Sequence, residues 1–323
     1  MVPHGEWEAA ARSLISSAIL APSSHNTQPW IFRVSHHQVD LLADRTRALP
    51  VNDPEDRELV ISCGCALLNL RAAAEKEGFS VEADLLPDGA DPDLLARVHL
   101  DTGGTGSSGL TELVDFMGQR RTYRKTFSHQ SVGDGTVAQL EAAAASEDVW
   151  LRPIQAEEDR MAIASLVAEG DGVQWSNPSW RRELAAWMHP RRKGDGLTVP
   201  ALAAPLARLV IRTFDMGGGV APRDRELAEE SPLMVVMGTD SDSHEDWLKA
   251  GQALQRVLLR GCKEGLQASY LNQPIQVPPL RSKVQNLVRG GFPQVILRFG
   301  YPEEEVSASP RRPLEEVLEM HMG

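Results

Sequence analysis

The sequence predicts a protein of the α+β or α/β class in which helices cover sheets, built on a duplicated unit. Three observations predict it. Helix-period and strand-period segments interleave along the chain. One helical pattern occurs twice. A Gly-rich stretch, Asp101 to Gly109 (DTGGTGSSG), divides a strongly acidic first part from a nearly neutral second.

Taken in order, Trp7 to Leu20 reads as a helix stopped by Pro22. Trp30 to Val34 and Gln38 to Leu42 alternate in polarity and read as a hairpin with His36–His37 at its tip. Glu58 to Phe79 (ELVISCGCALLNLRAAAEKEGF) and Glu245 to Leu266 (EDWLKAGQALQRVLLRGCKEGL) align without gaps at seven identities in 22 positions. Average composition yields roughly one or two such matches by chance. Both segments are helical in pattern, with Gly78 and Gly265 placed as C-caps, and both run into strand-like segments, Phe79 to Leu86 and Leu266 to Leu271. Duplication of an α/β unit explains the match better than two generic amphipathic helices. Val149 to Ile154 is a short strand and Glu157 to Glu169 a helix. Pro232 to Met237 and Gln294 to Phe299 are apolar enough for central strands, and Pro313 to Met320 is predicted as a last helix.

The 323 residues allow two domains or one large one, read here as halves 1–118 and 119–323. The formal net charge is −12, with −10 of it in residues 1–118 (8 basic, 18 acidic). That balance argues against nucleic acid or a membrane surface as a general partner, since both are polyanions. Three cysteines cannot form a disulfide framework, no basic-plus-apolar leader opens the chain, and the most apolar stretch, Leu197 to Ile211, is broken by prolines. These features predict a cytoplasmic protein. No HExxH, CxxC, P-loop or EF-hand pattern occurs, so no metal site is predicted.

Two segments concentrate chemistry. Ala21 to Trp30 (APSSHNTQPW) sets Ser23, Ser24, His25, Asn26, Thr27 and Gln28 between prolines, after a helix and before a strand. Its amides offer donors and acceptors together, which suits the edge of a pyrimidine-like ring; a rigid, self-capping turn is the alternative. Arg120 to Phe127 (RRTYRKTF) opens the second half with Arg120, Thr122 and Arg124 at alternate positions, which could converge on a phosphate; a solvated basic face is the alternative. Arg311 and Arg312, in Ser309 to Pro313, could close the same pocket. Ser23 or Ser24 with His25 as a hydrolytic pair is disfavoured, because adjacent residues rarely reach nucleophile–base geometry and no third orienting group is evident.

Together these motifs resemble the FMN-binding nitroreductase superfamily. APSSHNTQPW resembles its APS-x-x-N-x-Q-P-W motif, Arg120–Arg124 its R-x-[ST]-x-R phosphate motif, and Phe299-Gly300-Tyr301-Pro302 with Arg311-Arg312-Pro313 its C-terminal segment. The APS motif precedes the Arg motif, which matches the long, duplicated, actinobacterial latency-associated (Acg-type) branch. The resemblance implies an α+β nitroreductase-like fold, duplicated as an intramolecular pseudo-dimer with helices covering mixed sheets. It implies a monomer acting as a fused dimer, with one FMN per chain at the interface of the halves. Arg120, Thr122 and Arg124, with Arg311 or Arg312, would hold the phosphate, and Pro22, Ser23, Ser24, Asn26 and Gln28 would approach the flavin. Asn272, Gln273, Pro274, Ile275 and Gln276 would lie near flavin N5, where the family's common acidic and Gly residues are absent. No side chain takes a catalytic role. The implied activity is NAD(P)H-dependent reduction of nitro compounds or quinones; the alternative is FMN storage or sequestration. Storage would need a lid, and residues 189–222, with a hinge at Gly217–Gly219, are the candidate; a helical arm packed on the other half is the competing reading.

Overall fold

The computed structural model describes residues 4–103, 108–189, 194–198, 204–213 and 216–321. In the first half a helix, α1 (His4–Ala18), precedes a hairpin of β1 (Trp30–Ser35) and β2 (Gln38–Ala43). The long α2 (Arg57–Lys76) follows, then β3 (Phe79–Leu85) and β4 (Leu94–Thr102). The second half repeats the plan: α3 (Asp134–Ala145), β5 (Trp150–Pro153), and then an insertion of α4 (Glu157–Ser176), α5 (Pro178–Ala186), β6 (Met188–His189), β7 (Leu197–Thr198), α6 (Ala204–Thr213) and α7 (Gly217–Glu229). It resumes with β8 (Leu233–Thr239), α8 (His244–Lys263), β9 (Gln267–Tyr270), α9 (Gln273–Gln276), α10 (Pro278–Leu287) and β10 (Phe292–Gly300). A final strand, β11 (Leu318–Met320), ends the described chain.

The two sheets have one topology. The first is ordered β11-β1-β2-β4-β3 and the second β5-β8-β10-β9. Within each half the strands therefore lie first, second, fourth, third, all antiparallel, with the repeat helix connecting the second to the third. This is the duplicated α+β architecture that the repeat predicts. The insertion after β5 stands where the first half has only the His36–His37 turn; His37 takes the left-handed φ of 53° that such a tight hairpin needs.

Why α2 lies at the centre is legible in its composition. It is buried from Arg57 through Leu70, almost all round, as a helix without a solvated face must be. Its partner is α8, and the two cross at Gly64 and Gly251, where a Cβ on either would come within 2.9 Å of the other's Cα. One hydrophobic core takes side chains from both halves, among them Leu14, Phe32, Leu67, Leu254, Val257 and Leu297. Each repeat helix ends as predicted, with Gly78 at φ 87° and Gly265 at φ 81°.

Two local expectations differ from the structure. Pro313 to Met320 is a short 3-10 turn, Leu314–Glu316, followed by β11, because Leu318 pairs in parallel with Phe32 and completes the first half's sheet edge. Gly217–Gly219 do not form a hinge loop; they begin α7. Residues 190–193, 199–203 and 214–215 of the candidate lid lie outside the described residues. No described helix is long and apolar enough to cross a membrane.

Candidate functional site

A cavity of about 310 Å³ opens between the halves, over the crossing of the repeat helices. Three chemistry-bearing segments of the chain meet in it. Pro22, Ser23, Ser24 and Asn26 line it from the first half, Arg120, Thr122 and Arg124 from the start of the second, and Arg311 from the C-terminal segment. Asn272 and Gln276 also face it.

The loop after α1 is held in an unusual backbone conformation. His25, Asn26 and Gln28 have φ values of 48°, 55° and 53°. His and Asn enter this left-handed region more readily than most residues, and such departures cluster at ligand sites. Ser23 Oγ accepts from the Gln28 amide at 2.9 Å, closing the turn. The Asn26 amide donates to the Gly196 and Pro310 carbonyls at 3.3 and 3.2 Å, tying the loop to two distant segments. His25 is pushed down to about 4, chiefly by burial, with Arg124 adding repulsion against the attraction of Glu58. It is neutral at pH 7, and its Nδ1 is buried without a partner.

Arg120 to Tyr123 lies beside β9: Thr122 bridges to Ala268, and the Tyr123 amide donates to the Ala268 carbonyl at 2.8 Å. That pairing aims Arg120, Thr122 and Arg124 toward one side, as alternation along an extended chain requires. Arg120 is 6% exposed and its Nε has no partner. Arg124 lines the cavity and is exposed to solvent; partial desolvation lowers its pKa below the usual guanidinium value. Arg311 donates to the carbonyls of Ile19 and Leu20 at 2.7 and 2.9 Å. Burial first, then repulsion by Arg120 and Arg121, brings it down to about 9. Among the described residues, no ion pair reaches Arg120, Arg121, Arg124 or Arg311 within 4.0 Å; the described pairs of this segment go only through Lys125.

Other named residues sit elsewhere. Gln28 is fully buried; it donates to Gly194 O at 2.9 Å and accepts from the Arg312 amide at 2.9 Å. Arg312 also reaches Asp44 and Glu316. Gln273 donates to Asp171 and Asp224, and Pro274 and Ile275 are buried in α9. These five stand behind the cavity wall and brace it.

Sequence reasoning overlooked Glu58. This carboxylate, 4% exposed, lines the cavity and lies 3.5 Å from the Arg57 guanidinium. It accepts from Ser24 Oγ at 2.7 Å and from Gln276 Nε2 at 2.9 and 3.1 Å, so it joins both halves. Its neighbour Asp53 is pushed up to about 7, by burial first and then by the Glu58 charge. The available signal was one acidic residue opening an otherwise apolar helical run. Tyr270, Cys65, Gln294 and Leu254 also line the cavity. Cys65 is raised to about 12 by burial and is inert as a thiolate at pH 7. Among the described residues no cluster of His, Cys, Asp and Glu could hold a metal.

The cavity thus has a cationic end, an amide-rich middle and one carboxylate. An elongated ligand with an anionic terminus and a polar ring fits such an arrangement.

No family model matches the chain. A Mycobacterium tuberculosis protein named "Putative NAD(P)H nitroreductase Rv3131" is 32% identical over 321 residues, spanning 95% of this chain and 90% of that one. Another from the same organism, "Putative NAD(P)H nitroreductase acg", is 28% identical over 316 residues, spanning 95% and 94%. The crystal structure of a nitroreductase-like family protein from Bacillus cereus aligns with 66% of this chain and 97% of its own at TM-score 0.42 and 17% identity. By its full-length likeness to the mycobacterial proteins, the chain belongs to the nitroreductase superfamily, in the long branch that includes acg.

Proposed function

We propose that the cavity holds one FMN per chain, between the two halves, and that the chain is an NAD(P)H-dependent, FMN-containing reductase of nitro compounds or quinones. The observation that carries this reading is the group of guanidiniums lining the cavity, Arg120, Arg124 and Arg311, which have no carboxylate partner among the described residues. A buried cation such as Arg120 is costly without counter-charge, and a phosphate monoester supplies the missing charge. Arg120, Thr122, Arg124 and Arg311 would hold that phosphate by charge-assisted hydrogen bonds. Ser23, Ser24 and Asn26 from one half, with Asn272 and Gln276 from the other, would border the ring. Gln28, Gln273, Pro274, Ile275 and Arg312 would act behind them, fixing the loops.

Bound there, the flavin would supply hydride transfer; the chain supplies position, electrostatics and exclusion of water. No side chain needs to carry a proton for this. A second reading, flavin storage, is favoured by Gly196 and Leu197, which line the cavity; the Asn26 amide donates to the Gly196 carbonyl, and the Leu197 amide donates to the Trp187 carbonyl. A segment held there would restrict access of an acceptor. The absorbance spectrum of the purified protein tests the common ground: a flavin spectrum is expected, and a colourless protein that takes up no FMN contradicts both readings. NADPH oxidation with menadione or a nitroaromatic then separates reductase from store.

A further inference from the structure

A second cavity of about 280 Å³ adjoins the first. The two share Arg120, Thr122, Arg124, Ser309 and Arg311. We infer that this second cavity is a nucleoside-phosphate site, which takes the adenosine phosphate half of a flavin dinucleotide whose flavin half occupies the first. The inference rests on the FMN reading of the first cavity.

Placement is the first argument. The shared wall is the arginine wall, so the second cavity continues from the phosphate end of the first and from no other part of it. A ligand leaving the first cavity through that wall must extend from its phosphate.

Charge is the second. Arg121 and Lys125 line only the second cavity. Among the described residues, the Arg121 guanidinium donates to the backbone carbonyls of Gly118, Arg120 and Val306. Lys125 meets Glu304 at 2.7 Å, with both side chains about half exposed, an arrangement of small worth that a phosphate can replace. Arg120, Arg121, Arg124, Arg311 and Lys125 together are five cations in the lining of the second cavity, more charge than one phosphate carries. A pyrophosphate spreads its charge along the row.

Size and lining are the third. An isolated phosphate would leave most of the cavity empty, since the space equals that of about nine waters at ~30 Å³ each. Leu20, Met117, Val306 and Ala308 supply the apolar contacts that a nucleobase and ribose need.

The test uses the full chain stripped of flavin. Riboflavin, FMN and FAD are titrated by quenching of flavin fluorescence, and AMP is titrated calorimetrically into FMN-loaded protein. The variant Ala308→Trp alters an exposed position that lines the second cavity and lies outside the first. FAD is expected to bind about tenfold tighter than FMN, a difference of ~1.4 kcal/mol. Ala308→Trp should erase that gain and leave FMN affinity unchanged. AMP binding to the FMN-loaded chain, lost in Ala308→Trp, supports the same site filled by a separate nucleotide. FMN binding with neither an FAD advantage nor AMP binding overturns the inference and leaves the first-cavity reading standing. An FAD advantage that survives Ala308→Trp also overturns it. Failure of both flavins to bind removes the FMN reading and this inference with it.

Discussion

Gly64 and Gly251 pack backbone against backbone where the two repeat helices cross, and they do so reciprocally. A Cβ on Gly64 would lie 2.4 Å from Leu248 O, and one on Gly251 would lie 2.1 Å from Ile61 O. In the aligned repeat, Gly64 matches Gly251 and Ile61 matches Leu248. Each residue therefore makes its counterpart's contact, as across the two-fold axis of a homodimer, but within one chain. The cavity opens beside this crossing, with Ile61, Ser62 and Cys65 from α2 and Leu254 from α8 in its wall. Close helix approach and cavity shape are thereby one feature.

Gly251→Ala should lower the melting temperature. The added methyl meets backbone rather than a flexible side chain, so the helices must part. Overpacking of this kind costs about 1–3 kcal/mol, and each kcal/mol moves Tm by roughly 2–4 °C in a chain of this size class. Gly172→Ala is the control, since a Cβ there meets nothing within 4 Å and α4 should gain slightly. Thermal unfolding followed by circular dichroism checks both; equal Tm values for the two variants contradict the crossing described here.

Arg124→Ala should weaken FMN binding by roughly 1.5–3 kcal/mol, the range of a hydrogen bond to a charged group. That corresponds to about 10- to 150-fold in Kd. Riboflavin, which has no phosphate, should lose much less. Titration of both ligands decides: equal losses would make Arg124 a structural residue and move the phosphate elsewhere.

The site was legible where side-chain chemistry is concentrated in a short segment. APSSHNTQPW and RRTYR advertise themselves by amides and guanidiniums in close succession, and the cavity brings their members together. Glu58 was not legible, because a helix start favours acidic residues anyway and only the fold turns this one inward. Gln28 and Arg312 show the converse: motif members that bond to each other and to backbone behind the wall. The sheets were read from apolar runs, but β4 (LLARVHLDT) carries mixed polarity and β11 owes its form to pairing with β1 across nearly the whole chain. Such long-range pairing overrides local pattern.

Stability should fall as pH rises from about 4 to about 7 through Asp171, whose pKa is raised from 3.8 to about 7. Burial is the main cause, followed by repulsion from Asp224, itself raised by burial. Gln273 from α9 donates to both carboxyls, and Arg223 and Arg298 lie close enough to Asp224 to oppose its shift. The folded state binds the proton more tightly than the unfolded one, so the contribution is full below the unfolded pKa and lost as pH passes the folded one. Asp171→Asn removes this titration. Urea midpoints at pH 4.5 and 7.5 should therefore differ less in the variant than in the wild type; an unchanged difference contradicts the assignment.

The flavin content of a single chain tests the fused-pocket account most directly. The APS loop and the arginine motif each occur once, and they meet in the first cavity, so protein saturated with FMN should release one FMN per chain on denaturation. Released flavin is measured by absorbance against protein by amino-acid analysis, with gel filtration to fix the number of chains. A reproducible ratio near one is the predicted result. A ratio near two would mean that each half completes a pocket of its own, and would contradict it.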